Sequence, residues 1–92
     1  MLSMKLSNEI DIILASYGFT YFYSASGYDC IYSNYDIVDC PIRGIDILFD
    51  VKDEEFEITI DNKVFLGLYS EEITIENVKE LMVCLQKHIE ES

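Results

Sequence analysis

Hydrophobic side chains recur along the first 17 residues with the period of an α-helix. Polar residues lie between them, and Gly18 follows at the position where a glycine commonly ends a helix. The pattern predicts an amphipathic helix that covers a hydrophobic core. Its apolar positions fall within an arc of about 120° at 100° per residue, and they are Leu2, Leu6, Ile10, Ile13, Leu14 and Tyr17.

The hydrophobic period changes from 3.6 to 2 residues after Gly18. One side of Phe19–Ala25 and one side of Tyr28–Ser33 carry an aromatic or other apolar residue at every second position. Ser26-Gly27 lies between the two runs, which predicts a hairpin with a tight turn. The following segment, residues 34–44, contains a proline that cannot donate a ladder hydrogen bond. We therefore expect an edge strand or a loop there.

Two further strands have the clearest alternation of the chain. In Ile45–Val51 the large apolar residues alternate with Asp46, Leu48 and Asp50. In Glu55–Ile60, after a charged turn at Lys52–Glu54, they alternate with Glu55, Glu57 and Thr59. Asp61-Asn62-Lys63 predicts another turn, and Val64–Tyr69 predicts the last strand. The middle of the chain is typical of an antiparallel meander.

A second amphipathic helix is predicted at the end of the chain. Thr74 is a good N-cap, and the apolar residues after it again fall within about 120°. We expect a single α+β domain over residues 1–92, with a five- to six-stranded antiparallel meander sheet. The two helices are expected to pack on one face of this sheet. The apolar positions of the second helix are Ile75, Val78, Leu81, Met82, Leu85 and Ile89.

The charge balance limits the classes of partner. Eighteen acidic and six basic residues give a net charge of −12, which disfavours direct binding to nucleic acid or to an anionic membrane. Glu9 and Asp11 interrupt the first apolar stretch before it could form a signal-peptide core or a membrane span. The three cysteines are odd in number and lack a CxxC spacing, so we expect a cytoplasmic protein without disulfides or a zinc cluster.

Motifs for catalysis or cofactor binding are not evident. The single histidine, His88, lies near the end of the last predicted helix, where we expect a surface residue. The four glycines are scattered, which is untypical of a phosphate-binding loop. We expect the three cysteines to be buried and inert. The aspartate pairs do not reproduce a calcium-binding loop. We predict no catalytic residues, no metal and no cofactor.

Negative charge is concentrated in the middle of the chain. Residues 29–61 contain ten carboxylates and only two basic residues, a net charge of −8. In the two clearest strands the acidic residues alternate with the apolar ones, so they should line the outward face of the sheet. Seven tyrosines add surface that is both apolar and hydrogen-bonding. The predicted partner-binding residues are Asp46, Asp50, Glu55, Glu57, Asp36, Asp39, Tyr32 and Tyr35.

An acidic and aromatic face suits a basic protein groove. The favoured hypothesis is a small inhibitor that occupies the nucleic-acid-binding surface of a larger protein, such as a nuclease, in the manner of a phage anti-defence or anti-CRISPR-type protein. This comparison is an analogy of size and charge.

One alternative is an immunity protein or antitoxin against a basic nuclease. Another is an oligomeric regulatory or adaptor module, for instance a homodimer, whose charge serves solubility. An acidic character that serves solubility alone is as compatible with the composition as the mimicry of nucleic acid. A small enzyme built on the carboxylates is disfavoured because positioning partners are missing.

Overall fold

The computed structural model describes residues 1–24, 29–33 and 45–91, with the backbone alone for residues 20–24 and 29–33. Along the chain, one helix precedes a series of antiparallel strands and a second helix follows them. The elements are α1 (Met4–Ser16), β1 (Thr20–Ser24), β2 (Asp29–Ser33), β3 (Ile45–Asp50), β4 (Glu55–Ile60), β5 (Lys63–Tyr69), a 3-10 turn (Ser70–Glu72) and α2 (Ile75–Glu90).

Helix α1 is closed at both ends by hydrogen bonds that its sequence encodes. The Ser3 side chain accepts a hydrogen bond from the Leu6 N–H at 3.1 Å, which satisfies one of the free donors of the first turn. At the other end, Gly18 has a φ of 88°, and the Phe19 N–H donates to the Leu14 carbonyl at 3.0 Å. This left-handed ending is the Schellman arrangement, and it confirms that Gly18 ends the helix.

Helix α2 begins as its sequence predicts. Thr74 is the N-cap, and its hydroxyl accepts a hydrogen bond from the Asn77 N–H at 3.1 Å. Val78, Met82 and Leu85 are fully buried, so the apolar arc read from the sequence is the face that meets the core.

A two-residue turn joins strands β4 and β5. Between β4 and β5, Asp61 and Asn62 have φ values of 52° and 65°, which are the left-handed conformations of a type I′ hairpin. A bulge follows, because Ile58 pairs with Leu66 whereas Thr59 pairs with Val64, leaving Phe65 as an extra residue in β5. The bulge determines which side chains of β4 and β5 meet.

The prediction of a five- to six-stranded meander sheet is wrong. The strands whose side chains the structure describes form a three-stranded antiparallel sheet, β3-β4-β5, and in the described backbone β2 pairs with β3 and β1 with β2. No sixth strand occurs in the described ranges. The reason lies in the pattern itself: alternation over Phe19–Ser33 places aromatic residues on both sides, so it indicates a strand without identifying a buried face. The predicted hairpin turn at Ser26-Gly27 and the segment 34–44 lie outside the described residues.

One hydrophobic core joins both helices to one face of this sheet. Phe49 and Phe56 meet edge to face at its centre, with ring centroids 5.9 Å apart. The α+β class agrees with this architecture. The core side chains are Ile10, Leu14, Phe19, Ile45, Ile47, Phe49, Phe56, Ile58, Leu68, Ile73, Val78, Met82 and Leu85.

Candidate partner-binding face

The face of β3-β4-β5 directed away from the helices carries the predicted acidic positions of β3 and β4, and we call it the outer face. The register aligns three cross-strand rows on it. The rows are Asp46, Thr59 and Val64; Leu48, Glu57 and Gly67; and Asp50, Glu55 and Tyr69.

Tyr69 lies across the outer face above Gly67. A Cβ atom added to Gly67 would stand 2.7 Å from the Tyr69 hydroxyl oxygen and 3.0 Å from the ring carbon that bears it, so a larger residue would displace the ring. The Tyr69 hydroxyl donates a hydrogen bond to Glu57 Oε2 at 2.5 Å. The side chain remains 43% exposed, so its orientation is fixed while its ring is open to solvent.

The hydrogen bond to Glu57 is the main cause that raises the pKa of Tyr69 above its ordinary value of 10.0. Desolvation and the negative charges of Glu57, Glu55 and Glu72 raise this pKa further. The phenol therefore stays protonated at neutral pH and acts as a donor to the carboxylate. As a neutral donor, the hydroxyl hydrogen-bonds the Glu57 carboxylate without adding a further charge to the outer face.

The C-terminal end of β5 is held by a second carboxylate. Glu72 Oε1 accepts a hydrogen bond from the Tyr69 N–H at 3.2 Å, and the Ser70 N–H donates to the Glu54 carbonyl at 2.8 Å. The backbone and the side chain of Tyr69 are thus each hydrogen-bonded to a glutamate. Such double anchoring lowers the conformational entropy that this aromatic residue would lose on binding a partner.

Three of the predicted acidic residues share the outer face as expected. Asp46, Glu55 and Glu57 are all half-buried there. Asp50 differs, because it is only 8% exposed and its Oδ1 accepts a hydrogen bond from the Asp53 N–H at 2.8 Å. Its position in the strand is on the outer face, but its carboxylate bends back to support the β3–β4 turn, so Asp50 has a structural role.

The remaining predicted residues are placed only in part. Tyr32 lies on β2, where its backbone pairs with Ile47. Tyr35, Asp36 and Asp39 lie outside the described residues.

The histidine and the described free cysteine lie on α2, away from the outer face. His88 is half-buried near the end of α2, with its ring centroid 4.7 Å from that of Phe65. Cys84 is exposed on α2, contrary to the expected burial, because it lies on the side of the helix opposite to the core. In the described ranges, no group of three or more histidine, cysteine and acidic residues is placed to hold a metal ion. None of the helices described has the length and hydrophobicity needed to cross a membrane.

Comparison with known proteins identifies no relative: no family model, curated protein or solved structure matches this chain.

Sequence reasoning missed Tyr69 as a member of the face. Counting back from the two-residue turn at Asp61-Asn62 in regular register would pair Glu57 with Leu66. The extra residue of the bulge shifts this pairing to Gly67 and brings Glu55 opposite Tyr69. The sequence signal for this position of Tyr69 is a glycine, Gly67, two residues before the tyrosine on the same face of the strand.

Proposed function

We propose that this protein is an inhibitor that binds a basic protein surface through its outer face. The observation that carries the proposal is that Glu55 and Glu57 lie beside the anchored, exposed ring of Tyr69, with Asp46 two rows away on the same face. Carboxylates supply the charge that a row of lysines and arginines binds, and tyrosine supplies the contact area that dominates many protein interfaces.

Electrostatics supports a protein partner of opposite charge. Same-strand neighbours on one face of a sheet stand about 6.6 to 6.8 Å apart, and cross-strand neighbours about 4.5 to 5.5 Å. Negative charges at such spacings resemble the repeated charges of a nucleic-acid backbone. A protein groove that binds nucleic acid is therefore the surface most complementary to the outer face, while nucleic acid itself would be repelled.

The anchored tyrosine supports binding with specificity rather than charge attraction alone. An arginine of the partner could stack on the exposed ring of Tyr69 while its guanidinium reaches Glu57 or Glu55. This contact would be short-ranged and would persist at salt concentrations that screen the acidic surface as a whole.

The proposed partner is a nuclease or another nucleic-acid-binding protein, and the proposed location is the cytoplasm. We propose binding rather than catalysis. The sole histidine of the chain, His88, contacts Phe65 and lies away from the carboxylates of the outer face. An anti-defence inhibitor and an immunity protein would use the same face. The identity of the captured partner distinguishes these two roles.

The test compares two variants of equal charge. Asp46→Asn, Glu55→Gln and Glu57→Gln together neutralise the outer face. Glu71→Gln, Glu80→Gln and Glu91→Gln neutralise three exposed carboxylates elsewhere. Each triple variant lowers the net charge from −12 to −9. Tagged wild-type protein and both variants are used to capture partners from host lysate at low and high salt, followed by titration calorimetry with the captured protein.

The expected result is at least about tenfold weaker binding for the outer-face variant, about 1.4 kcal/mol, and little change for the control. The captured partner should also be displaced by nucleic acid. Equal weakening of both variants would show that net charge alone is responsible, and unchanged binding of the outer-face variant would refute the proposal.

A further inference from the structure

A groove between α1 and α2 lies on the side of the molecule opposite to the outer face. It encloses about 260 Å³ and is lined by Glu9, Ile12, Ile13, Ile75 and Lys79. Ile12 is 68% exposed, although it is a large aliphatic residue beside an open apolar groove. Val83, one helical turn beyond Lys79, is 57% exposed.

The charges at this groove are self-complementary. Glu9 and Lys79 line the same groove from different helices, yet within the described part of the chain they form no ion pair with each other. In a two-fold symmetric dimer, every contact occurs twice. If one residue of the first copy contacts a second residue of the other copy, then the same two residues also meet with the copies exchanged. An acid and a base on the two sides of one groove can therefore pair twice across a symmetric interface.

The helical layer can also approach another copy with little repulsion. Helix α1 contains two acidic residues and one basic residue, and α2 contains three and two, so each has a net charge of −1. Residues 45–69, which form β3-β4-β5 and its turns, contain seven acidic and two basic residues, a net charge of −5. Self-association is thus disfavoured at the sheet and permitted at the helices.

We propose that the groove between α1 and α2 is the interface of a symmetric dimer of this chain. Ile12 of each copy enters the groove of the other, and Glu9 of each copy faces Lys79 of the other. The inference stands independently of the function proposed for the outer face.

Sedimentation equilibrium across the micromolar range tests the apolar contact. Wild-type protein should be in a monomer–dimer equilibrium, and Ile12→Ser should weaken the dimer at least about tenfold. Met4→Ser is the matched control, because Met4 is a 79% exposed apolar residue of the same helix outside the groove lining. Circular dichroism and Tm establish that both variants are folded. A wild-type protein that stays monomeric, or equal effects of the two substitutions, would overturn the proposal.

Charge exchange tests the pairing itself. Glu9→Lys and Lys79→Glu should each weaken the homodimer, since each places like charges opposite one another across the two-fold axis. An equimolar mixture of the two variants should restore association as a heterodimer, detected by native mass spectrometry of differently labelled chains. An ion pair within one chain cannot produce this selective heterodimer, so its absence would contradict the proposed interface.

Discussion

Replacing Asp50 with alanine should destabilise the fold, although Asp50 belongs to the most acidic part of the chain. Asp50 is only 8% exposed, and its Oδ1 accepts a hydrogen bond from the Asp53 N–H at 2.8 Å. This bond spans the turn between β3 and β4. Removing the carboxylate leaves that turn without its side-chain acceptor.

The expected loss follows from two opposing effects. A hydrogen bond to a charged group contributes about 1.5 to 3 kcal/mol, and the lower end applies because the exposed Asp53 can donate to water instead. Glu55 lies directly opposite Asp50 in the register, and removing one of two like charges regains a few tenths of a kcal/mol. Asp50→Ala should therefore lower the free energy of unfolding by about 1 kcal/mol.

Urea unfolding followed by circular dichroism measures this loss. With a slope of about 1 kcal/mol per molar urea for a small domain, the midpoint should fall by about 1 M. Asp53→Ala is the control, since it removes an equal charge from the same turn but keeps the Asp53 N–H. Equal midpoints for Asp50→Ala and wild type would refute a supporting role for this carboxylate.

Four other substitutions test the fold and the outer face. Glu57→Gln should lower the pKa of Tyr69 towards its ordinary value, as followed by NMR of labelled tyrosine. Because the folded-state pKa of Tyr69 is raised, its stabilising contribution is complete below about pH 10 and is lost as the pH rises through that pKa. Gly18→Ala should cost about 1 to 2 kcal/mol in urea unfolding, owing to the φ of 88°. Ile47→Ala should cost about 2 to 5 kcal/mol by the same assay, and Leu81→Ala less, since Ile47 is fully buried and Leu81 only half-buried.

Local signals in the sequence predicted the elements whose ends and faces are determined locally. Gly18 and Thr74 mark helix boundaries through their own backbone and side-chain chemistry. Strands β3 and β4 were predictable because a regular alternation of apolar and acidic residues distinguishes a buried side from an outward one. The sequence also predicted that Asp46, Glu55 and Glu57 share a face, because period 2 determines the face of a strand.

Features that depend on the pairing of distant residues were not predictable in the same way. The bulge at Phe65 changes the partner of Glu57, and alternation within one strand contains no information on such a shift. Alternation also indicates the side of the strand on which a residue lies, but not how far its side chain is buried. It therefore assigned Asp50 to the surface, although the Asp50 carboxylate hydrogen-bonds within a turn. The aromatic residues of Phe19–Ser33 gave no single apolar side, so the alternation there indicated strands without identifying which side of them is buried.

The distribution of charge explains how two binding surfaces can exist on one small domain without interfering. A dimer formed through the helices would direct the two outer faces away from each other, because the helices and the outer face lie on opposite sides of β3-β4-β5. Long-range repulsion between the acidic faces would then be weakened by distance and by screening beyond about 8 to 10 Å. Neutralising the outer face should consequently leave self-association intact, and Ile12→Ser should leave partner binding by the outer face intact. Each proposal can therefore fail without the other.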